Sequence, residues 1–284
     1  MIGSSSGNEL AQEQVFRKNN GSDPGTLDPH RAEGVPASNV LRDLYEGLVS
    51  EAANGDYIPG VAESWSISED GKTYRFKIRE EAIWSNGDRV VAEDFVFSLR
   101  RSVDPKTLSN YSSMLYPIKN ARDVVLGKLP TDMLSVSAEN EKTLVIELEE
   151  PTPYFISLLT HSTTYPVHPP SVKEYGTSFT RPENMISNGA FTLKDWRIQD
   201  YILLERNEKY WDNPSTTLSQ VYYYPLDNPD ASLRRYRANE LDFTDTTPSE
   251  QLPWIKKNLK DELKITPYFG SYYYGSHTSK HPYK

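Results

Sequence analysis

Thr73-Tyr74-Arg75-Phe76-Lys77-Ile78-Arg79 alternates between apolar and cationic or polar side chains. Tyr74, Phe76 and Ile78 fall on one face, and Arg75, Lys77 and Arg79 on the other. That two-residue period predicts a strand buried on one side. Asn86-Gly87 downstream is a tight-turn signal. Residues 92–101 read as a short helix. Glu93 and Asp94 lie in its first turn and Arg100 and Arg101 in its last, where the macrodipole favours each sign, and Pro105 stops it. Upstream, Leu41, Leu44, Tyr45 and Leu48 recur at i, i+3, i+4 and i+7. The spacing predicts a helix over 38–49, capped by Ser38, with Gly47 near its end.

The pattern continues outward. Leu134, Val136 and Ala138 alternate, as do Leu144, Ile146 and Leu148. Pro151 and Pro153 break that pattern, and residues 165–170 are Pro-rich. A third sheet region is predicted over 190–196, 201–206 and 221–225, with helices over 230–238 and 248–259. Strands and helices interleave, with several hairpin-like pairs, so the fold class is α/β with mixed α+β character.

A chain of 284 residues suffices for one large or two ordinary domains. At that size a chain buries roughly 75% of its unfolded surface and needs no staples. Cysteine is absent, which excludes a disulfide framework, a Cys-ligated metal and a thiol nucleophile. The net charge of −9 argues against a broad phosphate-binding surface and so against nucleic acid. No run of 18 apolar residues exists, so no transmembrane helix and no direct membrane insertion is predicted. Met1-Ile2-Gly3-Ser4-Ser5-Ser6-Gly7 lacks the basic start and apolar stretch of a secretory signal. The mature-looking chain begins near Gln14.

Signals of catalysis are weak, and no enzyme activity is predicted. Gly3-Ser4-Ser5-Ser6-Gly7 fits the G-x-S-x-G elbow in letters but lacks the strand and helix that strain a nucleophile there. His161 and His168 match neither helical nor finger spacing and read as ordinary surface or turn histidines. There is no phosphate-cradling Gly-rich motif, so no cofactor or metal is called for. Glu80/Glu81 and Glu149/Glu150 read as solvated charge. Asn20-Gly21-Ser22 and Asn110-Tyr111-Ser112 fit the glycosylation triplet, a short pattern that chance often supplies. In Tyr222-Tyr223-Tyr224 and Tyr272-Tyr273-Tyr274, a strand would set the outer rings on one side and the middle one on the other. Sheet core plus a half-exposed ring is the better reading of 222–224.

A chain of longer motifs carries more. Pro59-Gly60-Val61-Ala62-Glu63-Ser64-Trp65, the strand at 73–79, Trp84-Ser85-Asn86-Gly87 and Ala92-Glu93-Asp94-Phe95-Val96 follow one another. Leu27-Asp28-Pro29-His30, Glu33-Gly34-Val35-Pro36, residues 188–196 from Asn188-Gly189 to Trp196, and Tyr210-Trp211 join them. Together, in this order over about residues 14–275, they resemble the oligopeptide-binding receptors of ABC importers, the extracellular solute-binding proteins of family 5.

The resemblance implies a periplasmic binding protein-like class II fold, in which two lobes close on a peptide. It implies a first lobe from residues 1–46 and 174–272, an accessory domain inserted over 47–173, and a hinge crossing beginning at 273–284. It further implies that the second lobe is missing and the chain is a fragment. The ending drifts from the family pattern at His277 and Lys280-His281-Pro282-Tyr283, and a family cysteine position reads Gly270.

The implied function is a periplasmic receptor component that hands oligopeptides to a membrane ABC permease. Receptors for a murein tripeptide, a dipeptide or another small solute remain as alternatives, as does a non-functional fragment. Sequence-independent peptide binding must use the backbone N–H and C=O groups every peptide shares, which an exposed edge can pair. The resemblance puts Glu33, Gly34 and Val35 at that edge. There Gly34 permits close approach and Pro36, lacking an N–H, ends the pairing. Without the resemblance, a plain turn before the helix explains 33–36 equally well. The resemblance also puts Tyr111, Asp245 and Tyr273 at the cleft, Tyr273 on a hinge strand.

Overall fold

The computed structural model describes residues 11–266, 273–275 and 278–279. Strand β1 (Val15–Asn19) leads to helix α1 (Val35–Leu44) and a small hairpin of β2 (Val49–Glu51) and β3 (Tyr57–Pro59). Then come β4 (Ala62–Ile67), β5 (Thr73–Ile78), α2 (Ala92–Val103), the short α3 (Ala121–Val125), β6 (Val136–Asn140) and β7 (Thr143–Glu147). The helices α4 (Phe155–Leu158) and α5 (Pro169–Tyr175) precede a meander of β8 (Phe191–Arg197), β9 (Tyr201–Arg206) and β10 (Gln220–Tyr224), and α6 (Pro229–Arg237) follows. Residues through Asp245 form one compact unit and those from Thr246 a second. The second unit carries α7 (Leu252–Asn258).

Two four-stranded sheets organise the first unit. One has the order β1-β10-β9-β8, with β1 parallel to β10 and the other pairs antiparallel. The other is antiparallel throughout, in the order β4-β5-β7-β6. In β5, Tyr74, Phe76 and Ile78 are buried as the alternation requires, and Arg75 and Lys77 are exposed. Phe95, Val96, Leu99 and Val103 form the apolar face of α2. The middle ring of 222–224, Tyr223, is buried, and the outer two stack on the other face with centroids 6.0 Å apart.

The family motifs are packing devices. Asp94, at the third position of α2, accepts from the Trp84 indole N–H at 3.0 Å and from the Val91 N–H at 3.1 Å. One carboxylate thus satisfies a first-turn orphan donor and a buried indole. Asp28 takes Arg101 bidentately at 2.9 and 2.6 Å, and Arg101 also donates to His30 Nδ1 at 2.7 Å. His30 Nε2 lies 2.9 Å from the Tyr165 carbonyl, so the ring is neutral, with its proton on Nε2. Burial and Arg101 push His30 down to about 4. Gly189 has no room for a side chain: a Cβ would lie 2.7 Å from the backbone of Asp43 and Leu44.

Several expectations shift. Helix α1 starts at Val35 and ends at Leu44, earlier than 38–49 at both ends. Pro36 suits a first turn, so Gly34 and not Ser38 is the cap residue. Leu48 stays buried, but next to β2. Leu134 and Leu148 fall outside β6 and β7. The Pro-rich stretch ends in a helix, α5, whose prolines occupy the first turn they tolerate. The helix expected over 248–259 is a 3-10 turn at Ser249–Gln251 followed by α7, with Pro253 near its start. Strand β1 and the β2–β3 hairpin carry no alternation long enough to read.

His168 is not a surface residue. It is buried, packs edge-on to Trp84, bonds Asp88 at 2.9 Å and accepts from the Ser171 N–H at the start of α5. Asn20 is buried and donates to the Pro36 carbonyl at 3.0 Å, so it is no glycosylation acceptor. Tyr273 is described outside any strand, and the flanking residues 271–272 and 276–277, which the expected hinge strand would include, lie outside the described residues. Tyr272, Gly270, His277, residues 280–283 and the Gly3–Gly7 elbow lie outside the described residues.

Candidate functional site

A groove of about 220 Å³ opens at the start of α1. Glu33, Gly34, Val35 and Ser38 form one wall, and Tyr111, His161 and Ser162 the other. Glu33, Gly34 and Val35 are exposed, Val35 at 61%. Gly34 has φ 83° and ψ 160°, a conformation open essentially to glycine alone. That kink carries the chain from the turn at residues 29–31 into α1 without a side-chain cap. Among the described residues, the N–H groups of Glu33, Gly34 and Val35 bond to no other group, whereas the Gly34 carbonyl accepts from Ser38 at 3.2 Å. The edge therefore offers donors facing solvent. Asn20 braces it from the end of β1 through Pro36 and Asn39.

The facing wall is aromatic. Tyr111 is half-buried and meets His161 edge-to-face, with ring centroids 4.9 Å apart. His161 Nδ1 accepts from the Thr163 N–H at 3.2 Å, which fixes the ring. Burial, helped by the Arg42 guanidinium, holds its imidazole below the usual histidine range, so at neutral pH this wall is uncharged.

Glu33, Gly34, Val35 and Tyr111 thus come together as the resemblance implies. Asp245 does not line the groove; its N–H donates to Asn19 Oδ1 at 3.1 Å, at the end of β1. Tyr273 is 82% exposed in the second unit. Sequence reasoning gave Ser38 a capping role and left His161 as an ordinary histidine. Both gain their place only through the fold, since no local pattern links 38, 111 and 161.

A larger cavity of about 560 Å³ lies beyond the C-terminal end of α1. At its wall the buried Glu46 carboxylate accepts from the Tyr210 hydroxyl and the Trp211 indole N–H, each at 2.6 Å. Asn188 brackets the Glu46 backbone on both its N–H and C=O. Burial raises Glu46 to about 7, against the pull of those two donors and Arg79. The guanidinium of Arg79 covers the Trp211 ring at 3.8 Å.

Residues 56–284 match the model of bacterial extracellular solute-binding proteins, family 5 middle. The chain belongs to this family. It is 43% identical to the periplasmic oligopeptide-binding protein OppA of Escherichia coli over 96% of its own length and 51% of that protein. It is equally 43% identical, over 96% of its length and 51% of the relative, to a probable deoxycholate-binding periplasmic protein of the same organism. Haemophilus influenzae OppA in complex with RPPGFSPFR superposes with a TM-score of 0.94 at 40% identity, covering 97% of this chain and 54% of that one. The unliganded open form of the periplasmic murein tripeptide-binding protein MppA gives 0.86 at 37% identity, over 88% and 49%. The chain spans about half the length of the family 5 relatives it matches, and its mixed α/β fold is theirs over that half.

Proposed function

We propose that this chain is a peptide-binding receptor component of an ABC importer, working in the periplasm beside a membrane permease and not as an enzyme. It would hold oligopeptides by their main chain, along Glu33-Gly34-Val35. The observation that carries the reading is the open groove. It pairs three N–H groups that have no partner among the described residues on one side with the Tyr111 ring on the other. An extended peptide can offer its carbonyls to those donors, while the ring covers apolar peptide surface in a sequence-tolerant way. Asp245, near the end of β1, and Tyr273 stay in the proposal as further cleft residues.

Residues 1–46 and 174–272 are proposed as a discontinuous lobe, 47–173 as an inserted domain, and 273–284 as the start of a hinge crossing. Sheet membership supports the division: β1 and β8–β10 share one sheet, and β4–β7 lie wholly within 47–173. Two relatives of equal identity bear different ligand names, so the choice of peptide rests on the groove and not on the percentage.

Titrating the isotope-labelled chain with tri-alanine tests the reading. One wall alone excludes little water, so weak, saturable binding is expected, with shifts centred on Gly34, Val35 and Tyr111. An N-methylated tri-alanine, which keeps its carbonyls but loses N–H groups and fits a paired edge poorly, should bind less well. Absence of shifts at these residues at millimolar peptide, or shifts centred elsewhere, would sink the proposal.

A further inference from the structure

A third cavity, of about 460 Å³, shares no lining residue with the groove. Five chain segments converge on it: the turn carrying Arg31, helix α2, and the 3-10 turns at Pro105–Thr107, Thr131–Met133 and Gly176–Thr180. Arg31, Arg100 and Lys106 line it, and among the described residues none of the three has a carboxylate within ion-pair distance. Among the described residues Arg100 has only backbone carbonyl partners, Asp132 at 3.3 Å and Val136 at 3.5 Å. Thr107, Thr131 and Thr177 add hydroxyls that bond to no other described group. The lining sets Arg31, Arg100, Arg101 and Lys106 against Glu93 and Asp104, so in a chain of net charge −9 its balance is locally positive.

The carboxylates present have other work. Asp104 caps the 3-10 turn through the Lys106 N–H at 2.9 Å, and Glu93 stands exposed in the first turn of α2, against its positive end. A fourth cation in the lining, Arg101, is already held by Asp28.

We propose that this cavity binds a tetrahedral oxyanion of the phosphoryl type. Arg31, Arg100 and Lys106 would supply charge and the threonine hydroxyls further donors. Such an anion has enough acceptor oxygens for several convergent donors, and charge-assisted bonds to it are the strong kind. The phosphoryl group could be free in solution or sit on a lipid headgroup; the recognition chemistry is the same. The alternative account, in which Arg100 merely complements the C-terminal end of α2, explains neither Arg31 and Lys106 nor the hydroxyls.

The isotope-labelled chain is titrated with inorganic phosphate, with sodium chloride at matched ionic strength as control. Saturable shifts are expected at the amides of Arg31, Thr107, Thr131 and Thr177, with Gly34 and Val35 unmoved. The double variant Arg31→Gln/Lys106→Gln, at two exposed positions that leave the fold intact, should weaken phosphate about tenfold. Co-sedimentation with phosphatidylglycerol or phosphatidylcholine vesicles separates the sources. Retention on the anionic vesicles alone, lost in the double variant, assigns the site to a lipid headgroup; equal absence from both pellets, with phosphate binding intact, assigns it to a soluble phosphate. Non-saturating shifts equal to those of chloride, or a double variant that binds phosphate as the parent chain does, would overturn the proposal. Peptide binding at the groove is untouched by either result.

Discussion

At the scale of single residues, Gly34 sets the candidate groove. Its φ of 83° lies where a Cβ strains the backbone, yet a Cβ there would meet nothing nearer than Pro36 Cδ at 3.7 Å. Gly34→Ala should therefore cost about 1–2 kcal/mol of backbone strain without a clash. Urea denaturation would show that loss, while Val35→Ala, at an exposed position, should stay within about 0.5 kcal/mol. Tyr111 contributes its ring: Tyr111→Ala should weaken tri-alanine binding several-fold while Tyr111→Phe keeps most of it, measured by the same titration. Gly34 and Tyr111 could be picked out only through longer motifs and a resemblance. Neither the turn preceding a helix nor a lone tyrosine has a periodic signature. The partner of Tyr111, His161, is invisible to any local window.

At the scale of elements, the end of α1 is tied to a distant loop by Glu46, whose carboxylate serves Tyr210 and Trp211. Its value near 7 lies above that of an unfolded glutamate, so the folded state holds the extra proton between about 4.5 and 7. Its contribution to stability is therefore full at low pH and falls as pH rises through that window, by on the order of 3–4 kcal/mol. Glu46→Gln cannot ionise and escapes this loss. The stability of the variant relative to the parent chain should climb from pH 4.5 to 7 in parallel denaturant melts; a difference that does not vary with pH would contradict the assignment. His30, held near 4, acts in the opposite sense, contributing stability above about 6.5 that is lost as pH falls toward 4. The strands β5, β7, β9 and β10 were legible because one buried face imposes a period of two. Helix α1 was legible in its apolar spacing but not in its ends, because Gly34 and Pro36 moved the start while Leu48 was recruited by neighbouring packing.

At the scale of the whole molecule, the Asp28–Arg101 pair joins the segment after β1 to helix α2 in a largely buried setting, with side-chain exposures of 5% and 15%. Removing one partner strands the other charge. Asp28→Ala should cost about 3–5 kcal/mol, whereas Asp28→Ala/Arg101→Met should recover much of that, because an apolar side chain tolerates the site. Thermal melts of the two variants would check it, and equal losses would show that the pair is not coupled.

The letters alone determined the alternating strands, the Asn86-Gly87 turn, the charge-balanced α2 and the motif order that marks family 5. Each is a local rule of backbone geometry or a long run of specific residues. Tertiary structure decided the rest. It buried His168 and Asn20, turned Asn188-Gly189 and Tyr210-Trp211 into clamps on the end of α1, and set Tyr111 and His161 opposite Gly34. Those outcomes depend on which distant segments come to share a core, and contacts between residues far apart in sequence leave no periodic trace within it.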